Sequence, residues 1–309
     1  MKKTAITFGA LLVMSCAWAS AAQAQVVLLS RTYVSSAGSD TNTCVIAAPC
    51  LTFSGAAAKT APRGEITALD SGVYGNITIA KSLTLQAAPG ARAMMGTSSS
   101  ATPVVVNAGE SDVVVLRNLQ ISRAGLGTAN RGIELVRVGA LHIESCVVSG
   151  FSDTGIYAGP PVINSDFKGA RLLVKDTVAR DNGTGIYLTS VFASIDRTRI
   201  ENNLTGVGVQ VQARVTLRDS VLAGNADYGL ATQGPSTVVS VENCVVTNNG
   251  IGIRASGSFT FSSVIVSHTM IASNTTGLSA NGGTIKSFGN NRLANNNTDG
   301  AFTSTIQEQ

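Results

Sequence analysis

The chain has 309 residues, of which 22 are lysine or arginine and 18 are aspartate or glutamate, so its formal net charge is only +4. Charged residues make up 13% of the chain and are spread along it, whereas nucleic-acid binding needs a concentrated basic surface. The composition therefore excludes nucleic acid as an expected partner. The 32 glycines and the abundance of valine, serine, threonine and asparagine are typical of an all-β protein with many turns.

Residues 1–24 have the pattern of an export signal peptide. A positive start at Lys2 and Lys3 precedes an apolar run that ends at Met14, and residues 22–24 form a small-x-small cleavage site. This run is shorter than the ~18 apolar residues that a membrane-spanning helix needs, and we expect no membrane span. We therefore predict an exported chain that begins near Gln25 and resides in the periplasm, outside the cell or at its surface.

Residues 25–63 differ from the rest of the chain, and we predict that they cap its N-terminal end. The segment RTYVSSAGSD predicts a strand and a turn, and Thr52–Ala61 predicts a short alanine-rich helix that stops at Pro62 and Gly64. Cys44 and Cys50 lie close together in sequence. Because exported proteins fold in an oxidising compartment, we expect these two cysteines to form a disulfide in this cap.

From about Val104 to Gly300, a similar block of sequence recurs roughly every 21 to 31 residues. Each block alternates apolar and polar residues, which is the period of a strand with one buried face. One such unit cannot bury its own apolar face, so the units must stack into a solenoid. We predict a parallel β-helix over residues 64–300 and a tail over 301–309. The blocks read LHIESCVVSGF, LLVKDTVARDN, ASIDRTRIENN, VTLRDSVLAGN, VSVENCVVTNN and VIVSHTMIASN.

Polar residues recur at two positions in each repeat. The first is a turn position, occupied by Ser145, Asp176, Arg197, Asp219, Asn243 and His268. The second is occupied by Asn182, Asn203, Asn225, Asn249 and Asn274. Because asparagine and glycine tolerate left-handed backbone best, we predict that these asparagines adopt it. Cys146 and Cys244 share a small-residue position roughly 19 Å apart, beyond disulfide reach, so we expect buried free thiols.

Three stretches of the chain resemble a known superfamily. They are VSSAGSDTNTCVIAAPCLTF, GEITALDSGVYGNITIAKSLTLQAAPG and the ending FGNNRLANNNTDGAFTSTI. They resemble right-handed parallel β-helix proteins of the pectin-lyase-like superfamily, and in particular exported bacterial members whose function is unassigned. The resemblance covers nearly the whole mature chain and implies an all-β, right-handed parallel β-helix of about eight coils. It does not decide the activity, because the superfamily includes lyases, hydrolases, esterases and binding or structural spikes.

No catalytic set of these enzymes is complete in the sequence. Asn297 to Gly300 spells the NTDG motif of polygalacturonases, but their DD, GHG and RIK motifs are absent, so we interpret NTDG as a turn. The pectin esterase pattern GVYGNITIAKSLTL carries Asn76 where glutamate is usual. No block has the clustered aspartates that calcium needs, and no zinc spacing occurs. We predict no cofactor and no metal, with calcium as an alternative that no motif supports, and structural roles for His142 and His268.

Four acidic residues precede successive repeat glycines by two to five positions: Asp153, Asp181, Glu201 and Asp227. We expect them at one edge of the solenoid, where carboxylates one or two rungs apart would lie about 5 to 10 Å from each other, a spacing suited to glycoside hydrolysis. Tyr157 and Tyr187 follow repeat glycines at equivalent outward positions, with Glu134 one coil earlier. Flat rings beside a carboxylate would form a sugar-binding platform.

We therefore predict an exported, non-catalytic protein that binds a polysaccharide or cell-surface glycan through Tyr157, Tyr187 and Glu134, or that supports a cell-surface structure. The alternative is a polysaccharide lyase or glycoside hydrolase that uses the acidic residues between Asp153 and Asp227. A third interpretation is a purely structural spike. A concave groove that joins the tyrosines and the acids would favour binding or catalysis, whereas a featureless convex edge would favour the spike.

Overall fold

A computed structural model describes residues 28–96, 100–123, 129–159, 169–257 and 262–307. The predicted signal peptide and most of the segment between Gly159 and Ala170 lie outside these residues. The described chain is a parallel β-solenoid of about 8 turns with one short helix, as predicted. Each complete coil contributes one strand to each of three sheets. Each strand therefore pairs with strands of the neighbouring coils and not with strands of its own coil.

The first sheet has twelve strands among the described residues. They are Leu29–Val34, Thr60–Ala68, Leu83–Ala87, Val113–Arg117, Ala140–Glu144, Ala170–Lys175, Val191–Asp196, Arg214–Arg218, Thr237–Glu242, Ser262–Ser267, Thr284–Ser287 and Ser304–Thr305. The predicted boundary at residue 64 lies inside the second of these strands, Thr60–Ala68. The strand after the helix starts at Thr60, and Leu29–Val34 pairs with it in parallel, because the predicted cap segment supplies its own strand to the open edge.

The second sheet consists of ten short strands in the described part of the chain. They are Gly72–Val73, Ala93–Met95, Leu119–Ser122, Val147–Ser149, Val178–Arg180, Arg199–Glu201, Val221–Ala223, Val245–Thr247, Met270–Ala272 and Arg292–Ala294.

The third sheet has nine described strands. They are Ile77–Ile79, Val104–Asn107, Arg131–Arg137, Thr154–Ala158, Thr184–Thr189, Thr205–Gln210, Tyr228–Gln233, Ile251–Ser256 and Thr276–Asn281.

The interior of the solenoid is a set of stacked apolar columns. Strand alternation turns every second residue inward, and the parallel register then places equivalent residues of successive coils on top of each other. One such column of the first sheet is fully or almost fully buried: Ile143, Val174, Ile195, Leu217, Val241 and Val266. Because each coil buries its apolar face only against its neighbours, the core extends along the whole solenoid axis.

The turn from the first to the second sheet is made by a single left-handed residue in each repeat. This position has a φ between 45° and 52° at Ser145, Asp176, Arg197, Asp219, Asn243 and His268. Next to it, one column of the first sheet alternates in charge along the axis: Arg117, Glu144, Lys175, Asp196, Arg218 and Glu242. Cross-strand pairs of opposite charge favour this register over a slipped one.

The turn from the second to the third sheet contains an asparagine ladder, whose first five members are buried: Asn182, Asn203, Asn225, Asn249, Asn274 and Asn296. The side-chain oxygen of Asn225 accepts from the backbone N–H and the side-chain amide of Asn203, at 3.1 and 3.0 Å. Its own amide donates to the carbonyl oxygen of Ile200. The prediction of left-handed asparagines is wrong at these positions. The left-handed residue is the preceding one, such as Asp181 or Asn202, because the ladder asparagine must point inward.

The repeat glycine is explained by the same ladder. A Cβ at Gly206 would lie 2.5 Å from the carbonyl oxygen of Gly229 and 2.9 Å from the side-chain nitrogen of Asn225. Such distances are shorter than any van der Waals contact, so only glycine lets adjacent coils approach at this point.

The N-terminal cap contains the predicted helix and the predicted disulfide. The helix spans Phe53–Lys59, and the side chain of Thr52 accepts a hydrogen bond from the backbone N–H of Gly55 at its start. Phe53 is buried and packs edge-to-face on Tyr74 of the first coil. Cys44 and Cys50 form the disulfide, which confirms the prediction.

Candidate functional site

The outward face of the third sheet carries a column of residues that changes character along the axis. We call it the outward column, and its members pair in register from coil to coil: Val105, Glu134, Tyr157, Tyr187, Gly208, Ala231, Arg254 and Ser279. Tyr157 and Tyr187 therefore occupy equivalent positions on adjacent coils, and Glu134 lies one coil earlier. Large side chains give way to Gly208 and Ala231 in the middle of this column.

Arg131 closes one end of the tyrosine pair. Its guanidinium carbon lies 3.6 Å from the centroid of the Tyr157 ring, and the same group donates to Glu134 at 2.6 Å and to Asp153 at 3.1 Å. Partial burial disfavours the charged guanidinium, but the bonds to Asp153 and Glu134 outweigh it and raise the pKa of Arg131. The carboxylates of Glu134 and Asp153 are therefore engaged in holding Arg131 over the ring.

Tyr157 and Tyr187 stack on each other with parallel rings. The ring centroids are 5.3 Å apart and the planes differ by 4°. One face of Tyr157 is covered by Arg131 and the other by Tyr187, so of these two rings only Tyr187 has a face left for a ligand. We call Arg131, Tyr157 and Tyr187 the tyrosine stack. Burial, and then the neighbouring Tyr157, raise the pKa of Tyr187, so its phenol stays neutral at physiological pH.

Beyond Tyr187 the tyrosine stack stops at a cavity of about 180 Å3. Gly208 and Ala231 lie at its floor, and Tyr187 and Tyr228 also line it. A Cβ at Gly208 would lie 3.4 Å from Cδ2 of the Tyr187 ring, which shows that this ring leans over the glycine. The second face of Tyr187 is therefore directed at the cavity.

Arg254 and Tyr228 form the far wall of the cavity. Arg254 donates a hydrogen bond of 2.7 Å to the Tyr228 hydroxyl, and its guanidinium carbon lies 5.1 Å from the Tyr228 ring centroid. Unlike Arg131, Arg254 forms no ion pair with a carboxylate among the residues that the structure describes. An aromatic face and an unneutralised cation thus look into one cavity, which suits a ligand with a flat apolar face and an anionic group.

The four candidate acids do not form one column. Asp153 and Asp227 directly precede third-sheet strands, whereas Glu201 ends a second-sheet strand and Asp181 is a left-handed turn residue. They lie at the same turn, as predicted, but in three different columns. Three of them pair with arginine: Asp153 with Arg131 at 3.1 Å, Asp181 with Arg180 at 3.3 Å, and Glu201 with Arg199 at 2.7 Å.

The other predicted motifs have structural surroundings. The carboxylate of Asp299, in NTDG, accepts a hydrogen bond of 2.8 Å from Asn296, the last member of the asparagine ladder. His268 is a left-handed turn residue, and His142 lies 3.8 Å from Glu144 on the first sheet. Over the described ranges of the chain, no group of three or more histidine, cysteine or acidic side chains could hold a metal ion.

A larger open groove, of about 980 Å3, lies on the outward face of the first sheet and was not predicted from the sequence. Arg171, Phe192 and Arg214 pair in register along it. The sequence did contain a signal for the cavity of the third sheet. The residue two positions after each repeat glycine defines the outward column, so the alignment that paired the tyrosines also predicts Gly208, Ala231 and Arg254 in series.

Comparison with protein families supports the fold. The family model described as a right-handed beta helix region matches residues 102–262, which is slightly more than half of the chain. The match confirms the handedness that the sequence resemblance implied. Among curated proteins, no sequence matches the chain.

Solved structures with a similar fold act on carbohydrates or bind them. The chain is similar to pectate lyase Pel9A, with 16% identity, a TM-score of 0.56, and coverage of 84% of this chain and 68% of that one. The complex of XylC with xylose gives 10% identity, a TM-score of 0.63, and coverage of 85% and 70%. A rhamnogalacturonan lyase has 12% sequence identity to this chain and a TM-score of 0.54. The match covers 80% of this chain and 82% of that one. At these identities the likeness concerns the fold alone.

Among the residues that the structure describes, no helix is both long and apolar enough to cross a bilayer.

Proposed function

This chain belongs to the right-handed β-helix family, and we propose that it is an exported, non-catalytic protein that binds a polysaccharide on the outward face of its third sheet. The observation that carries the proposal is the second face of Tyr187, which is directed at a cavity with Gly208 and Ala231 at its floor. Sugar rings have apolar faces that pack on aromatic rings, and a cavity beside such a ring fixes where the sugar lies.

The fold neighbours support the ligand class. A pectate lyase, a rhamnogalacturonan lyase and a protein crystallised with xylose share the solenoid, and all three names refer to sugars. The disulfide Cys44–Cys50 fits an oxidising compartment, where extracellular glycans are met. We therefore place the protein outside the cytoplasm, with a glycan as its partner.

The acidic residues support binding over cleavage. A glycosidase needs one carboxyl group that can give up a proton and another that is free to act as base or nucleophile. Asp153, Asp181 and Glu201 each face an arginine at 3.3 Å or less, so one carboxylate oxygen of each is engaged in an ion pair. Asp227 has no ion pair among the described residues, so a lyase or hydrolase that uses Asp227 is the second candidate.

The test is a binding and cleavage assay on purified mature protein with a panel of acidic and neutral polysaccharides. We expect retention of at least one polymer in affinity electrophoresis, no shortening of its chains, and loss of retention in Tyr187→Ala. Tyr157→Ala is the matched variant, because it removes a ring whose two faces are already covered, and its loss should be smaller. Shortened products that disappear in Asp227→Asn would make the protein an enzyme. No retention of any polymer would favour the structural spike.

A further inference from the structure

We propose that the cavity beside Tyr187 binds a single anionic sugar unit, held as the next member of the tyrosine stack, with its polysaccharide chain crossing the solenoid axis. This inference rests on the proposed function and names the ligand and its orientation. It combines three observations: the interruption of the outward column, the open charge of Arg254, and the direction in which the tyrosine rings face.

The interruption leaves room for one ring. From Tyr187 to Arg254 the outward column advances three rungs, about 14 Å at the spacing of stacked strands, and its two intermediate positions are Gly208 and Ala231. The ring centroids of Tyr157 and Tyr187 are 5.3 Å apart, and a further ring stacked on Tyr187 would occupy a similar part of this length. The remainder is spanned by the side chain of Arg254, which bends towards Tyr228.

The charge of Arg254 selects the ligand class. Its hydrogen bond to the Tyr228 hydroxyl, at 2.7 Å, fixes the guanidinium without neutralising it. A planar guanidinium has further N–H donors, which suit the two oxygens of a carboxylate or the oxygens of a sulfate ester. Gln210 and Gln233 also line the cavity and can bond to sugar hydroxyls. A sugar that carries an acid group therefore satisfies the cavity better than a neutral one.

The ring orientation sets the direction of the polymer. Arg131 belongs to the coil before Tyr157, and its guanidinium carbon lies over the Tyr157 ring, 3.6 Å from the ring centroid. The tyrosine faces therefore point along the solenoid axis. A pyranose stacked on Tyr187 would present its face along the axis and its linked hydroxyls sideways. Its chain would leave across the sheet or outward, and neighbouring sugars would not follow the groove of successive coils.

This geometry makes a specific prediction about chain length. If one unit makes the contacts, then affinity per site should change little as the chain grows. We would measure binding by calorimetry for oligogalacturonates of one to six units and for xylo-oligosaccharides of the same lengths. We expect the affinities of the acidic monomer and hexamer, expressed per sugar unit, to agree within about threefold. The neutral series should bind at least about tenfold more weakly.

Substitutions in the cavity test the same idea from the protein side. Arg254→Gln should lower the affinity for the oligogalacturonate by about tenfold or more, because it removes a charged hydrogen bond to the ligand. Arg292→Gln is its control, since Arg292 is an exposed arginine of the second sheet. Gly208→Tyr should fill the cavity and abolish binding while the melting temperature is maintained or raised, because it extends the tyrosine stack. Val105→Tyr, at the far end of the same column, should leave binding unchanged.

The outcomes separate this inference from the proposed function. If Tyr187→Ala abolishes binding of a neutral polymer and Arg254→Gln has no effect, the protein binds glycans and the anionic ligand is wrong. If affinity per site rises more than about tenfold from monomer to hexamer, several sugars make contacts and the single-unit mode is wrong. If neither Tyr187→Ala nor Gly208→Tyr changes binding of any polymer, both proposals fail together.

Discussion

The asparagine ladder and the outward column run along the same coils but differ in every physical respect. The ladder repeats one residue, is buried, and joins each side-chain oxygen to the backbone N–H and side-chain amide of its neighbour. The outward column changes from Glu134 through two tyrosines to Gly208 and Arg254, and part of its hydrogen-bonding capacity faces a cavity. In this solenoid, a constant column joins the coils through hydrogen bonds, and an interrupted column leaves a cavity beside Tyr187.

The reason lies in what one substitution does to each column. A ladder asparagine shares its groups with the coils on both sides, so a change there leaves buried polar groups without partners. A residue of the outward column shares its groups with solvent or with a ligand, so a change there costs little stability. Substitutions in the ladder, at the turn before the third sheet, should therefore have large effects on stability. Substitutions in the outward column should have large effects on binding.

The strongest test is Asn225→Ala. It leaves the backbone N–H of Asn203 without its acceptor, removes one of the three acceptors of the Asn203 side-chain amide, and empties a buried position. We expect the free energy of unfolding to fall by about 3 kcal/mol, as measured by denaturant unfolding. Asn297→Ala, at an exposed asparagine next to the last ladder residue, is the control and should cost no more than about 0.5 kcal/mol. Equal losses in the two variants would contradict a special role for the ladder.

A smaller effect is expected at Asp112, which joins two coils outside the ladder. Its carboxylate accepts from the Ser82 hydroxyl at 2.6 Å, from the Ser82 backbone at 3.1 Å and from Gly109 at 2.8 Å. Asp112→Asn should lower the free energy of unfolding by about 1.5 kcal/mol at pH 7.

The pH dependence gives the control for Asp112. Hydrogen bonds from Ser82 and Gly109 lower the pKa of the Asp112 carboxyl in the folded state. Its contribution is therefore complete above the unfolded value of about 4 and is lost as the pH falls through the lower folded value. The difference between wild type and Asp112→Asn should shrink below about pH 4, and a difference that stays constant to pH 2 would contradict this assignment.

The tyrosine stack should contribute less still to stability. A double-mutant cycle on Tyr157→Ala and Tyr187→Ala should give a coupling free energy of about 1 kcal/mol, the range of stacked aromatic pairs. Removing the tyrosine stack should change the free energy of glycan binding by much more than this coupling free energy. A coupling near 3 kcal/mol would mean that the stack holds coils together as the ladder does, and the contrast between the two columns would not stand.

The smallest effect is expected at Cys146 and Cys244, the free cysteines of the described residues. Both are buried in a small-residue column, so we expect them to be unreactive in the folded protein. Burial raises the pKa of Cys146 to about 12 and that of Cys244 to about 11. Only the thiolate reacts, so iodoacetamide at pH 8 should label neither cysteine in the folded protein and both after unfolding. Rapid labelling of the native protein would show that these coils open.

The sequence by itself determined the solenoid, its strand alternation and the identity of its columns, because a repeat can only be buried by stacking on its copies. It also determined the disulfide and the equivalence of Tyr157 and Tyr187. It did not determine which residue at the second turn is left-handed, because inward asparagine and left-handed asparagine fit the same spacing. Only the tertiary structure decided that arginines pair with Asp153, Asp181 and Glu201 and that the second face of Tyr187 is directed at a cavity. These features depend on how side chains turn and pack, between neighbouring residues for Arg180–Asp181 and Arg199–Glu201 and between adjacent coils for Arg131–Asp153 and the cavity. Periodicity does not encode side-chain direction.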